Sequence, residues 1–334
     1  MSEATATRGR VWARMLPGLL ISGVVLAVLF RLFDWRDVVT ALRQGDPRFL
    51  LAALPFYLLS YLMRALAWRT ILREAVPLWD VFLTMHSGYL LNNVLPFRLG
   101  EVGRAYLLGR RLGFWRVFPT ILIERAFDMI LAASLLLGTL PFVLVDSDAG
   151  GTAVVVGAVV LLGLLAFYLL ARYREWALST FERLGARWPV VLRVGRERLA
   201  AFITGLGALT SPTRFLCVLF WMLFSWMMAV MVQWMVLRAF YPAAVPLHAA
   251  FALAVSALGV AVPSSPGYIG VFEAAVVGAL AAFDIPFATA FADAVMLHLF
   301  YVAVTGSFGL YGLARSGVRL GEIFERLQQM RGKE

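Results

Sequence analysis

Long apolar runs alternate with short arginine-rich segments along the chain, and the runs have the length that crosses a lipid bilayer. A hydrocarbon core about 30 Å thick takes roughly 20 apolar helical residues at 1.5 Å each. Residues 16–30, 49–68, 117–145, 152–171, 215–237 and 288–313 read as crossings, the first of them short. The pattern predicts an all-α polytopic membrane protein with about six spanning helices, and residues 1–334 as a single integral membrane domain. Arg8, Arg10 and Arg14 precede the first run, as in a secretory signal. The residues after it, Arg31-Leu-Phe-Asp-Trp-Arg36, offer no small-residue cleavage site, so this segment is expected to stay as the first helix.

Two further apolar stretches are broken in a similar way. One reads Asn92-Asn93-Val-Leu-Pro96-Phe-Arg98-Leu-Gly100-Glu101, and the other Pro263-Ser264-Ser265-Pro266-Gly267-Tyr268-Ile-Gly270-Val-Phe-Glu273. In each, an apolar helix meets a Pro/Gly break, a Glu follows, and a second short helix begins. Neither half is long enough to span. Backbone broken at membrane depth is tolerated where protein or a polar cavity covers it. The stretches 78–112 and 247–283 are therefore expected to be re-entrant hairpins; two full-length helices kinked at proline are the alternative. With the flanking crossings they make two repeats, 49–145 and 213–313, of opposite sense. This is the pattern of an inverted repeat, whose half-helices meet near the midplane to form a site.

Charge fixes an expected orientation, because short cytoplasmic loops retain Lys and Arg. With both termini inside, twenty-two basic residues fall on inner segments, Arg64, Arg69 and Arg73 among them, and five on outer ones. Arg98, Arg104 and Arg125 fall at membrane depth. The +10 net charge thus faces anionic inner-leaflet lipid, and a bacterial inner membrane is the expected location. The segment 172–212 is expected to lie on that leaflet as amphipathic cytoplasmic helices. With 61% hydrophobic and 15% charged residues the chain is unlike a soluble domain, and it offers no basic soluble region to bind nucleic acid. A single Cys217 and the dispersed His86, His248 and His298 provide no disulfide framework and no metal cluster, so neither metal nor cofactor is expected.

The candidate site is the set of polar residues at the breaks and in the crossings that follow. The first repeat supplies Asn92, Asn93, Arg98, Glu101, Arg104, Glu124, Arg125 and Asp128, and the second Ser264, Ser265, Tyr268, Glu273, Asp293 and His298. Charges facing lipid are expensive, so these groups should face one another or a wet cavity. Arginines can hold a phosphate through a forked donor set, and helix starts near Glu101 and Tyr268 would add N–H donors. The carboxylates could instead staple the arginines, and Glu101 and Glu273 could cap their own helices. Asp293 and His298 sit about 140° apart around a helix, so their pairing is not imposed. His298 could carry a proton or simply bond a backbone carbonyl. Pro96, Gly100, Pro263, Pro266, Gly267 and Gly270 are the expected hinges.

These motifs, with Ile123-Glu-Arg-Ala-Phe-Asp128 between them, resemble the flippase-like family that contains the transmembrane region of lysylphosphatidylglycerol synthases. The resemblance covers nearly the whole chain. It implies a lipid translocase fold with two re-entrant hairpins, acting on a membrane phospholipid or a polyprenyl-linked lipid. The long synthases append an aminoacyl-transferase domain, and the sequence here ends about 20 residues after its last crossing, so no enzyme activity is expected. The expected function is a flippase moving a phosphate-bearing headgroup, with anionic inner-leaflet lipids as partners and a homodimer left open. A small-solute secondary transporter, or a non-transporting partner of a lipid- or glycan-modifying enzyme, are the alternatives.

Overall fold

Proline and acceptor side chains open the helices. Asp46 takes the Arg48 N–H at 2.8 Å and Pro47 fills the first helical position, which starts α2 (Pro47–Ile71). A short helix, α1 (Trp35–Gln44), precedes it. Pro212 likewise fills the first helical position of α6 (Pro212–Phe240). The other two long helices are α5 (Phe114–Val143) and α9 (Phe287–Ser316), the latter closed by Gly317 in the left-handed conformation. These four are long and apolar enough to cross a membrane, and they match four of the expected crossings. The computed structural model describes residues 35–95, 99–143, 162–169, 210–260 and 265–318, with a few isolated positions between 158 and 183. The expected crossing at 16–30, most of 152–171, and nearly all of the 172–212 segment lie outside the described residues. Residues 162–169 are helical, and Phe167 packs against Phe127 and Phe215. All the elements described are helical.

The two broken stretches form pairs of short helices. The first pair is α3 (Leu78–Val94) and α4 (Leu99–Leu112); the second is α7 (Pro246–Gly259) and α8 (Val271–Ala281). None reaches the length of a crossing. Pro96, Arg98, Pro263 and Ser264 lie outside the described residues. A 3₁₀ turn, Pro266–Tyr268, follows the second break, where Gly267 and Gly270 have φ of 69° and 88°. Each pair folds back on itself. Gly88 and Gly100 let α3 and α4 touch: a Cβ on Gly100 would run into the Gly88 carbonyl, and one on Gly88 into the Arg104 side chain. Gly309 and Gly312 do the same for α9, since a Cβ at Gly309 would stand 2.7 Å from the His86 carbonyl oxygen.

The two halves are related by an inversion. α2 and α6 pack along their length, and the Asp46 N–H donates to the Ala239 carbonyl at 2.9 Å, so the start of one lies beside the end of the other. They are antiparallel. Midway, the Ser60 hydroxyl bonds the Ser225 carbonyl and the Ser225 hydroxyl bonds the Ser60 carbonyl, each at 3.0 Å. Both serines stand thirteen residues after the first residue of their helix. The contacts relate α2 to α6, α3 to α7, α4 to α8 and α5 to α9, the pattern of an approximate two-fold axis near that point. Contacts obey the exchange: α3 packs on α9 as α7 packs on α5, and α4 packs on α5 as α8 packs on α9. The inverted repeat expected from the broken stretches is thus present in the packing itself.

Candidate functional site

Around the axis, between the two halves, lies a cavity of about 300 Å³. Ser60, beside the axis, is part of its wall. The first half lines it with Arg64 from α2, Asn92 from α3, and Arg125 and Asp128 from α5; the second half contributes Gln233 from α6, Gly267 and Tyr268 from the break, and His298 from α9. Tyr57, Tyr61, Tyr89, Trp226 and Tyr301 complete much of the rest. Such rings offer an apolar face and a polar edge, which suits a site at membrane depth.

The charges of the first half form one connected cluster. Arg64 Nη1 reaches both Asp128 oxygens at 2.7 Å and Glu124 at 3.5 Å. Arg125 touches three carboxylates: Glu101 at 3.2 Å, Asp128 at 3.3 Å and Glu124 at 3.9 Å. Arg104 pairs with Glu124, and its guanidinium lies 4.1 Å over the Trp68 ring. Trp226 adds an N–H to Asp128 at 3.2 Å. Three arginines thus face three carboxylates and the cluster is neutral. That is the outcome electrostatics demands where an isolated charge would cost roughly 2.5–3.5 kcal/mol even on insertion scales. Exposure separates the arginines. Arg104 is 1% exposed while Arg125 is 26% exposed and opens into the cavity.

The second half repeats part of this arrangement. Glu101 is the third residue of α4, and Arg125 follows the first residue of α5 by eleven positions. Glu273 is the third residue of α8, and His298 follows the first residue of α9 by eleven positions. His298 Nδ1 lies 2.5 Å from Glu273 Oε1. The inversion therefore sets a Glu–His pair opposite a Glu–Arg pair. The other Glu273 oxygen takes the Gly270 N–H at 2.6 Å, so this carboxylate also caps α8. Across the first break, the Asn92 side chain accepts the Gly100 N–H at 2.8 Å. Tyr268 keeps φ at 61°, a region a tyrosine rarely adopts, and thereby lines the cavity.

The expected site residues divide into four groups. Asn92, Arg125, Asp128, Tyr268 and His298 line the cavity. Glu101, Glu124 and Glu273 stand behind the lining and hold it, while Arg104 is packed away on Trp68. Asn93 donates to Thr305 at 3.1 Å, Ser265 bonds the Ile269 carbonyl, and buried Asp293 accepts from Gln233 at 2.8 Å. Arg98 and Ser264 lie outside the described residues. Asp293 and His298 do not pair, in keeping with their angular separation, and His298 meets Glu273 rather than a backbone carbonyl. Arg64 is no loop residue: α2 continues to Ile71, two turns beyond it. Removing Arg64 from the inner set leaves the basic excess there intact. The sequence reading passed over Tyr57, Tyr61, Arg64 and Trp68, although they recur at i, i+4, i+7 and i+11, one stripe on one helix face.

A family model described as the lysylphosphatidylglycerol synthase TM region matches residues 15–309. Among curated proteins, the chain is similar to "Glycosyltransferase AglD" of Haloferax volcanii, at 28% identity over 95% of this chain. The match spans 57% of that relative's length. No solved structure matches.

Proposed function

The chain belongs to the family of the lysylphosphatidylglycerol synthase transmembrane region, and from that premise we propose that it is a lipid translocase rather than an enzyme. One observation carries the reading: a cavity of about 300 Å³ lies between the two repeats, its largely apolar lining interrupted by Arg64, Asn92, Arg125, Asp128, Gln233 and His298 from both of them. That volume is at the small end of ligand pockets, which run from about 300 to 1,000 Å³. It accommodates a headgroup and leaves acyl chains in the bilayer. The headgroup would pass along the polar wall while its tails follow the lipid-facing sides of the spanning helices.

A phosphate-bearing headgroup fits the donors. Arg125 is shared among three carboxylates, and no single bidentate partner occupies its fork. An incoming phosphate could take over its Nη donors while Asp128 stays held by Arg64 and Trp226. Arg64, which bonds the same Asp128, would share the anion. Because the halves are inverted, rocking them about the Ser60–Ser225 contact would open the cavity first to one leaflet and then to the other. The termini would lie in the cytoplasm of a bacterial cell, with the basic rim on the inner leaflet.

A photo-crosslinkable phospholipid tests the site in reconstituted liposomes. Labelling of the parent should map to α5 and α9, and Arg125→Ala should cut it by about tenfold, the cost of one charge-assisted hydrogen bond. Equal labelling of parent and variant would remove Arg125 from the site. The relative named as a glycosyltransferase supports a second reading, a membrane partner of a glycan-modifying enzyme. That reading predicts no lipid movement by the purified chain.

A further inference from the structure

The two repeats neutralise the same carboxylate with different cations, and the difference is chemical. Glu101 meets Arg125, a cation at every accessible pH. Glu273, at the equivalent place, meets His298, which carries charge only with a proton bound. The first pair is always neutral. The second is neutral with one proton bound and carries one negative charge without it. We propose that Glu273–His298 is a reversible proton-binding site opening on the cavity, and that its proton occupancy sets the position of the second hairpin's tip.

Geometry supports both halves of the proposal. His298 lines the cavity, so a proton arriving there meets the imidazole directly. The proton binds the ring nitrogen, and the resulting imidazolium donates from Nδ1 to Glu273 Oε1. Loss of the proton returns it to the cavity and leaves the carboxylate uncompensated. Glu273 Oε2 holds the Gly270 N–H, at the foot of a tip whose Gly267, Tyr268 and Gly270 all have positive φ. A change of charge beside Glu273 is thus applied to the segment that holds Tyr268 in the left-handed region.

Charged and titratable groups face the pair from every element packed around it. Across the cavity, Arg64, Arg125 and Asp128 belong to the balanced cluster, with Tyr57, Tyr61 and Tyr89 on the same side. On its own helix, Tyr301 lies 6.3 Å from the ring, and Asp293 turns toward Gln233 of α6. Phe272 of α8 packs edge-on at 5.5 Å, and Tyr268 comes from the tip. α1, which packs on α9 through Val38 and Phe291, carries Arg36, Asp37 and Arg43. If the cavity moves lipid headgroups, this site would couple that movement to protons. Coupling rests on the translocase reading, whereas the proton site does not.

The experiment follows the tip and needs no transport. In a Cys217→Ser background, a nitroxide on Ile269→Cys, an exposed position at the tip, is recorded in liposomes from about pH 5 to about pH 9, the range of imidazole titration. The parent should interconvert between two spectra in a single step. His298→Arg, which installs the cation of the other repeat, should stay in the low-pH spectrum throughout. His298→Gln should stay in the high-pH spectrum at neutral pH. A parent spectrum independent of pH, or a step that survives unchanged in either variant, would overturn the proposal. A clean titration with no lipid movement in the same liposomes would keep the proton site and remove the translocase reading.

Discussion

Arg104 and Arg125 illustrate how two arginines of one cluster acquire different work. Arg104 is enclosed between Trp68 and Glu124, both fully buried, so it holds α4 to α2 and α5. Replacing it leaves the Glu124 charge short of a partner, and a broken buried pair costs about 3–5 kcal/mol. Arg104→Met should therefore lower the thermal midpoint of the purified protein sharply. The double variant Arg104→Met, Glu124→Gln should recover part of the loss, because both charges then go together. Arg125→Ala should do much less to stability, since that side chain is 26% exposed and Arg64 still serves Asp128. The sequence showed the charges but not this division. Exposure depends on which wall of the cavity a helix presents. The stripe Tyr57, Tyr61, Arg64 and Trp68 was hidden by its neighbours Arg69 and Arg73, which made Arg64 look like the edge of a basic loop.

At the scale of elements, the first hairpin depends on glycine contacts between its two helices. Gly100 faces the Gly88 carbonyl at the crossing of α3 and α4, whereas Gly278 in α8 has open space where a Cβ would stand. Gly100→Ala should force the hairpin apart and reduce folded yield and thermal stability. Gly278→Ala should be neutral or slightly stabilising, as alanine favours helix. Size-exclusion profiles and melting curves of the two variants in detergent compare them directly. The breaks themselves were legible because Pro and Gly at membrane depth conflict with a spanning helix. What the sequence could not show is that each hairpin's Glu is the third residue of its helix and meets a basic side chain on the next long helix. The loops differ in length between the halves, so the correspondence of Arg125 with His298 emerges once the helices have explicit starts.

Across the whole molecule, the inversion turns two ordinary halves into an unusual centre. Its axis passes by the reciprocal Ser60–Ser225 contact and beside the cavity, and the packing of each hairpin is repeated on the other side. At the rim, Asp80 stands between Arg111 at 2.7 Å and Arg315 at 3.4 Å and ties the start of α3 to the ends of α4 and α9. On the proposed translocase reading, rocking of the halves would pivot at the Ser60–Ser225 contact and be absorbed at the hairpin tips. Filling the cavity tests its central role without altering any charge. Ala229, on the wall contributed by α6, is the position for this. The purified protein is placed in liposomes holding headgroup-labelled phospholipid, and transfer between leaflets is followed by quenching of the outer label. The parent should accelerate transfer, and Ala229→Trp, folded to the same extent, should return it to the protein-free rate. Equal transfer by parent and Ala229→Trp would contradict passage through this cavity.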